Sequence, residues 1–234
     1  MKRPRASATG VRPRAPRHLG LLAAAALLAA AHSPALADSP LWELDFRLGD
    51  AWDAPLPIVL RQRGQDDLRL TARWRTDALK IPFYYSYRVA RWRGGRAWAL
   101  DLTHHKLYLE NPPPEVQDFC VSHGYNLLTL QRLVQRGGWR FGGAAGVVVT
   151  HPESEVRGRR FGEHGGLLRA GYYVSGPTAG ALVGATRALR GPLRLTSEAK
   201  LTLSYASVPL AGGSARVPDL AVHVTVGLGW AVGR

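Results

Sequence analysis

Asp219–Arg234, with the sequence DLAVHVTVGLGWAVGR, is the stretch that decides the fold. Apolar side chains occupy every second position from Val222 to Val232, and small or polar residues occupy the positions between them. Because successive side chains of a β-strand point to opposite faces, one face of this strand is wholly apolar and ends near an aromatic residue, Trp230. A lipid-facing strand requires such a face, and the small, polar opposite face suits a narrow interior.

The same alternation recurs upstream, in segments separated by connections of two kinds. Short turns rich in Gly alternate with long connections rich in Gly, Pro and charge, which is the asymmetry of outer-membrane barrels. We therefore predict an all-β fold, a closed antiparallel up-and-down transmembrane barrel of about eight strands. A lipocalin-like soluble barrel fits less well, because it buries its apolar face inside. The seven further segments are 68–75, 80–89, 98–105, 122–134, 141–149, 177–189 and 193–205.

The amino terminus has the pattern of an export signal. Six Lys and Arg residues without an acidic residue precede the apolar run 19–31, and Ala35-Leu36-Ala37 follows it as a small-x-small cleavage site. We predict a signal peptide over residues 1–37 and localisation in the outer membrane. No later stretch of about 18 apolar residues occurs, so a helical membrane span is not predicted.

The segment 38–66 is ambiguous. Its first part alternates like a strand, and two further strands would give a barrel of ten, but Pro55-Leu56-Pro57 interrupts the pattern. We predict an N-terminal periplasmic extension over 38–66 and the outer-membrane barrel over 67–234.

Charge and cysteine content restrict the partners. Removing the six basic residues of the leader from the net charge of +14 leaves +8 on the mature chain. This excess favours anionic partners, so we expect contacts with outer-membrane lipid and lipopolysaccharide, although solvated loop arginines explain it equally well. The barrel-assembly machinery is an expected partner, and export makes nucleic acid a poor one. Cys120 is the single cysteine, so no internal disulfide is possible.

Histidines mark the outer rim of the predicted barrel. His105 and His123 are expected to face each other there, with Asp101 below, and such groups could supply a general base or bind a metal. No tight spacing such as His-Glu-x-x-His occurs, so the metal and cofactor remain unspecified. A lumen hydrogen-bond network is favoured over catalysis by about two to one, because polar lumens need internally satisfied groups. The arginines expected to clamp a lipid A phosphate in the longest loop are Arg157, Arg159 and Arg160.

Two stretches carry a resemblance to a known family. His104–Tyr108 (HHKLY) and His123–Leu130 (HGYNLLTL), together with 82–85 and 199–205, resemble small outer-membrane barrels of the lipid A oxidase-like group. The resemblance extends over about 68–230. It implies an eight-stranded barrel in a Gram-negative outer membrane and, for some relatives, oxygen-dependent oxidation of the proximal glucosamine of lipid A. The chain departs from the pattern at its carboxyl end, which lacks a terminal aromatic residue.

Three functions follow from these observations. The first is an outer-membrane barrel with a packed polar lumen that is structural or interacts with lipopolysaccharide. One alternative is a lipid A-modifying, oxidase-like enzyme with its site at the outer-leaflet rim. The other is a narrow channel, which a lumen filled by side chains disfavours.

Overall fold

The computed structural model describes residues 41–162 and 165–233, with the backbone alone for Ser122 and His123. All regular structure in these ranges is β-strand, and none of their residues forms a helix long and apolar enough to cross a bilayer. The predicted signal peptide lies outside the described residues. In chain order the strands are β1 (Leu41–Asp53), β2 (Leu56–Gln62), β3 (Leu68–Ala72), β4 (Trp74–Arg75), β5 (Tyr85–Arg93), β6 (Arg96–Leu109), β7 (Val116–Arg136), β8 (Trp139–Thr150), β9 (Glu153–Val156), β10 (Arg159–Phe161), β11 (Tyr173–Ala188), β12 (Leu193–Leu210) and β13 (Gly213–Gly233).

Eight of these strands form a closed ring in the order β1–β5–β6–β7–β8–β11–β12–β13, and β13 returns to β1. Every neighbouring pair is antiparallel. The closing pair runs from Leu41 opposite Gly233 to Asp53 opposite Ala221. Closure leaves the ring without a free edge, so its backbone groups are bonded internally, as a membrane-spanning sheet requires. The predicted all-β, closed antiparallel barrel of about eight strands is confirmed.

The first strand corrects the prediction of a periplasmic extension over 38–66. Residues Leu41–Asp53 lie in the ring, between β13 and β5, because their alternation matches that of their neighbours. The apolar residues of β1 are exposed on the outside, whereas Glu43, Asp45 and Arg47 are buried inside. The prolines at 55 and 57 do not exclude this strand; they lie after it, where the chain turns into β2.

The segment 68–75 is not one of the ring strands, contrary to the prediction. It forms β3 and β4, which extend the sheet beyond the ring, since β3 pairs with β2 and β4 pairs with the far end of β6. Its apolar face, including Ala72 and Trp74, packs into a buried cluster instead of facing outward. The count of eight is preserved because β1 takes the place that this segment was expected to fill.

The outside of the ring carries an apolar belt between two aromatic zones. Leu44, Phe46, Leu100 and Leu228 are among its members, each about half exposed. Tryptophans border the belt at the end of the short turns, where Leu41 and Gly233 also lie, and tyrosines of β5 border it at the opposite end. A belt with aromatic borders is what the two interfaces of a bilayer favour. The exposed tryptophans of the short-turn end are Trp42, Trp98, Trp139 and Trp230.

The short-turn end carries a collar of exposed arginines. The turn sequences 91–97, 132–140 and 186–194 contain no acidic residue. Two of the arginines lie over tryptophans that border the belt. The Arg91 Cζ is 5.7 Å from the Trp42 ring centroid, and the Arg132 Cζ is 5.1 Å from the Trp98 ring centroid. Such pairs keep the cation at the headgroup level beside the apolar belt. The collar consists of Arg91, Arg93, Arg96, Arg132, Arg136, Arg187 and Arg190.

Side chains fill the ring interior in layers. An apolar plug closes the short-turn end, a charged and polar layer occupies the middle, and an apolar cap closes the loop end. Small residues make room for the middle layer: a Cβ added at Gly229 would lie 2.5 Å from Asp45 Oδ1. The plug contains Ala90, Trp92, Ala97, Ala99, Leu133 and Leu182. The cap contains Ile58, Leu60, Ala72, Trp74, Leu107, Val116, Phe119, Val121, Tyr125, Leu127, Val148, Val156, Ala206, Val208, Leu210, Ala215 and Val217.

Replacing Leu228, in the middle of the apolar belt, with Arg tests the placement of the belt in lipid. We expect Leu228→Arg to lower the free energy of unfolding in phospholipid vesicles by about 2–4 kcal/mol, the cost of an arginine near a bilayer midplane. The matched control is Thr71→Arg, on the exposed face of β3, which should change it by less than about 0.5 kcal/mol. Guanidinium titration followed by tryptophan fluorescence measures both. Equal effects of the two substitutions would contradict a lipid-facing belt.

Candidate functional site

The middle of the lumen is a network of charges that neutralise one another. Arg47 donates to Asp101 at 2.8 Å and to Glu198 at 3.0 Å. Arg88 donates to Glu198 at 2.5 Å, and the Lys200 ammonium donates to Asp101 at 2.8 Å. These residues come from four strands, and their side chains are at most 4% exposed. The network therefore ties β1, β5, β6 and β12 together across the lumen.

A second ion pair lies on the short-turn side of this network. Glu43 accepts hydrogen bonds from both terminal nitrogens of Arg140, one of them at 2.8 Å. The Arg140 guanidinium also lies 4.7 Å from the Trp92 ring of the apolar plug. The charged layer thus continues to the plug and leaves both groups buried.

A polar layer of a different composition lies on the loop side of the network. His105 Nε2 is 2.8 Å from Asp53 Oδ1 and 3.7 Å from Asp219 Oδ2. The Tyr84 hydroxyl is 2.6 Å from His223 Nδ1, and the two histidine rings lie 5.1 Å apart between centroids. All five side chains are almost completely buried.

The structure separates the residues predicted to be catalytic. His105 and Asp101 are both in the lumen with no exposed surface, in different layers. Asp101 bonds Thr103 as predicted for a lumen network, whereas His105 bonds Asp53. The His123 side chain lies outside the described part of the structure. Among the described residues His105 is fully buried, and its catalytic role stays a prediction.

Glu198 and Lys200, two positions apart on β12, both pair with residues across the lumen. Glu198 bonds Arg47 and Arg88, and Lys200 bonds Asp101. Residues two apart on a strand share a face. In the narrow lumen, however, side chains of opposite strands come within reach of the charged groups of Glu198 and Lys200.

The three arginines predicted to clamp a phosphate lie on the β9–β10 hairpin but have different surroundings. Arg157 donates to the Asp66 carbonyl at 2.9 Å, and Arg159 is exposed. Arg160 lines a cavity of about 290 Å³ together with Asp118 and Glu153. Partial burial, and then the Glu153 carboxylate, raise the pKa of Asp118, which lies beyond the apolar belt. Because Arg160 is beside carboxylates, it is a weaker phosphate ligand than the spacing predicted.

A different set of cations converges on the outside of the barrel at the loop end. The Arg75 guanidinium, the Lys80 ammonium and the Lys106 ammonium lie 5.7, 4.7 and 6.0 Å from the centroid of the Tyr108 ring. Asp77 forms a 2.7 Å salt bridge with Arg75, so cations outnumber acidic groups in this cluster. We call Arg75, Lys80, Lys106 and Tyr108 the basic cluster.

The segment 76–84, here called the rim loop, connects the basic cluster to the apolar belt. Lys106 fixes the loop because its ammonium donates to the Asp77 carbonyl at 2.5 Å and to the Lys80 carbonyl at 2.8 Å. Tyr84 fixes its other end inside the lumen, through the bond to His223. Three large apolar side chains of the loop project outward between these anchors. They are Leu79, Ile81 and Phe83, which are 84%, 78% and 48% exposed.

The outer face of β6 beside the rim loop carries His104, the first of the two adjacent histidines His104 and His105. His104 stacks on Tyr85 with ring centroids 4.7 Å apart, and its Nδ1 is 2.8 Å from the Asn126 amide oxygen. His104 and His105 therefore point to opposite faces of β6, since His105 lies in the lumen. Asn126 therefore lies on the outer face and not beside His105.

Sequence reasoning missed the basic cluster. The predicted ring segments 68–75 and 80–89 contain Arg75 and Lys80, so the sequence alone does not predict that these residues meet Lys106. The local sequence gives little signal, because Leu79, Ile81 and Phe83 continue the alternation of the strand that follows.

Comparison with known proteins finds similar solved structures but no matching family model. No family model and no curated protein matches the chain. The chain is similar to the solved outer-membrane protein AlkL at 12% identity, covering 86% of this chain and 94% of AlkL, with a TM-score of 0.46. It is similar to OprG from Pseudomonas aeruginosa at 14% identity, covering 85% and 97%, with a TM-score of 0.39. It is similar to Ail of Yersinia pestis at 7% identity, covering 84% of this chain and 100% of Ail, with a TM-score of 0.38.

All of these TM-scores are below 0.5, and all of these identities are below 25%. They do not confirm the lipid A oxidase-like group. At these identities and TM-scores, no residue role or ligand can be carried over to this chain.

Removing the carboxylate charge of Asp101 tests the lumen network. Asp101→Asn leaves Lys200 and Arg47 without their shared buried counter-ion, so we expect the free energy of unfolding to fall by about 3–5 kcal/mol. The matched control, Asp67→Asn, breaks exposed pairs with Arg61 and Arg69 and should cost about 0–1 kcal/mol. Chemical unfolding in vesicles measures both variants. A cost below about 1 kcal/mol for Asp101→Asn would show that the lumen charges do not depend on one another.

Proposed function

We propose that this protein is an outer-membrane barrel that binds lipopolysaccharide at its loop end and does not turn it over. The observation that carries the proposal is the basic cluster beside the exposed apolar side chains of the rim loop. Cations within reach of phosphates, next to side chains that enter an acyl layer, match an anionic lipid whose headgroup and chains must be held together.

The orientation follows from the two ends of the barrel. Short turns and both ends of the described chain lie at one end of the ring, and long connections lie at the other. In outer-membrane barrels the short turns face the periplasm, so the basic cluster lies on the side of the lipopolysaccharide leaflet. The arginine collar then lies at the headgroups of the inner leaflet.

A closed interior supports a binding role over a channel. The apolar plug and the apolar cap lie on either side of the charged layer, and the charges of that layer are paired with one another. Eight strands leave an interior that side chains can fill. An ion would have to separate these pairs to pass.

The oxidase-like alternative receives less support from the geometry. His105 and Asp101 have no exposed surface, so a glucosamine ring at the outer leaflet cannot reach them without opening the lumen. If lipid A is a substrate, its mass changes on incubation with the protein, and this readout is included in the experiment below.

Titration of the purified protein in detergent with lipid A tests the proposal. The variant Arg75→Gln/Lys80→Gln removes two cations of the basic cluster and keeps Lys106, which holds the rim loop. We expect the dissociation constant for lipid A to rise about tenfold, the loss of one charge-assisted contact. The wild-type protein should bind lipid A more tightly than phosphatidylglycerol and leave the lipid A mass unchanged.

Arg93→Gln/Arg96→Gln is the matched control, because it removes the same charge from exposed residues at the short-turn end. Its affinity for lipid A should equal that of the wild type. Equal losses in both double variants, or equal affinity for phosphatidylglycerol, would reduce the proposal to general attraction of anionic lipid. A shifted lipid A mass would replace it with the enzymatic alternative.

A further inference from the structure

We propose that Asp53, His105 and Asp219 form a binding site inside the lumen for a divalent transition-metal ion such as zinc. The site is separate from the basic cluster and does not depend on lipopolysaccharide binding. It accounts for a group of buried side chains that the lipid-binding proposal does not use.

Three strands bring the ligand atoms together. One oxygen of Asp53 on β1, a ring nitrogen of His105 on β6 and one oxygen of Asp219 on β13 all lie within 4.8 Å of one another. The shortest separations are 2.8 Å from His105 Nε2 to Asp53 Oδ1 and 3.7 Å to Asp219 Oδ2. Zinc bonds of about 2.0–2.2 Å put tetrahedral ligand atoms roughly 3.3 Å apart, so side-chain shifts of an ångström or less complete the geometry.

Asp219 supplies an independent indication of a missing ligand. It has no exposed surface, and no donor among the described residues forms a hydrogen bond to either of its carboxylate oxygens. Its nearest polar neighbours are the Asp53 carboxylate and His105. A buried carboxylate beside a second carboxylate is costly unless a proton or a metal cation lies between them.

A divalent ion solves this problem with the groups present. Two carboxylates and one neutral imidazole neutralise the ion and provide two oxygen ligands and one nitrogen ligand. This mixed donor set favours zinc and related transition metals over magnesium and calcium, which prefer all-oxygen sites. Three protein ligands leave a position for water.

His223 lies next to the site but is not a ligand. Its Nδ1 is 2.6 Å from the Tyr84 hydroxyl and its Nε2 is 2.7 Å from the Thr202 hydroxyl, so both ring nitrogens are engaged. The proposal therefore specifies one imidazole in the metal shell. This number separates the lumen site from adventitious binding by several histidines at the surface.

Metal analysis of refolded protein tests the proposal. Because the lumen is closed, the mature, untagged protein is refolded with zinc and then passed over a chelating resin. We expect about one zinc per chain in the wild type, and at least tenfold less in Asp219→Asn. The matched control is Asp45→Asn, which changes another buried lumen carboxylate outside the cluster and should retain the wild-type zinc content.

Zinc-edge X-ray absorption of the wild type is the second measurement, and it decides the matter if Asp219→Asn fails to fold. One imidazole with oxygen ligands is expected. The proposal is overturned by a wild type that retains no zinc, by an Asp219→Asn variant that folds and retains as much zinc as the wild type, or by a shell of several imidazoles.

Discussion

The structure depends on the neutralisation of charge inside a closed ring. Eight strands leave an interior too narrow for bulk water, so every charge that points inward needs a partner within the ring. Arg47, Asp101, Glu198 and Lys200 meet this requirement by pairing across the lumen. The ionic layer therefore fixes the relative positions of strands that share no backbone hydrogen bonds.

The layers on either side of the charges support the proposed binding function on the outside of the barrel. Among the described residues, the plug and the cap are apolar and buried, and they lie on either side of the ionic layer. Tyr84 connects inside and outside, since its hydroxyl bonds His223 in the lumen while the preceding residues of the rim loop project outward. The same interior packing that closes the lumen thus holds the rim loop in place beside the basic cluster.

The sequence was informative where a local period determines structure. The alternation in 219–234 predicted both the strand and its two faces, because successive side chains of a β-strand point to opposite faces. The strand β1 was not predicted as a ring strand because Pro55 and Pro57 interrupt the alternation, although both prolines follow the end of β1 at Asp53. The candidate site could be predicted less well from the sequence. Glu198 and Lys200 share a face but pair across the lumen, and the basic cluster forms only when the rim loop folds back on β6. Contacts of this kind depend on tertiary position, which spacing along the chain does not determine.

The most direct test of a sealed barrel that acts at its rim is conductance across a planar lipid bilayer. The folded protein, inserted at single-molecule density, should give no stable conductance steps at any applied potential at which the bilayer itself is intact. Reproducible steps from the wild-type protein would contradict the account, because they would require a continuous aqueous path through the plug, the ionic layer and the cap.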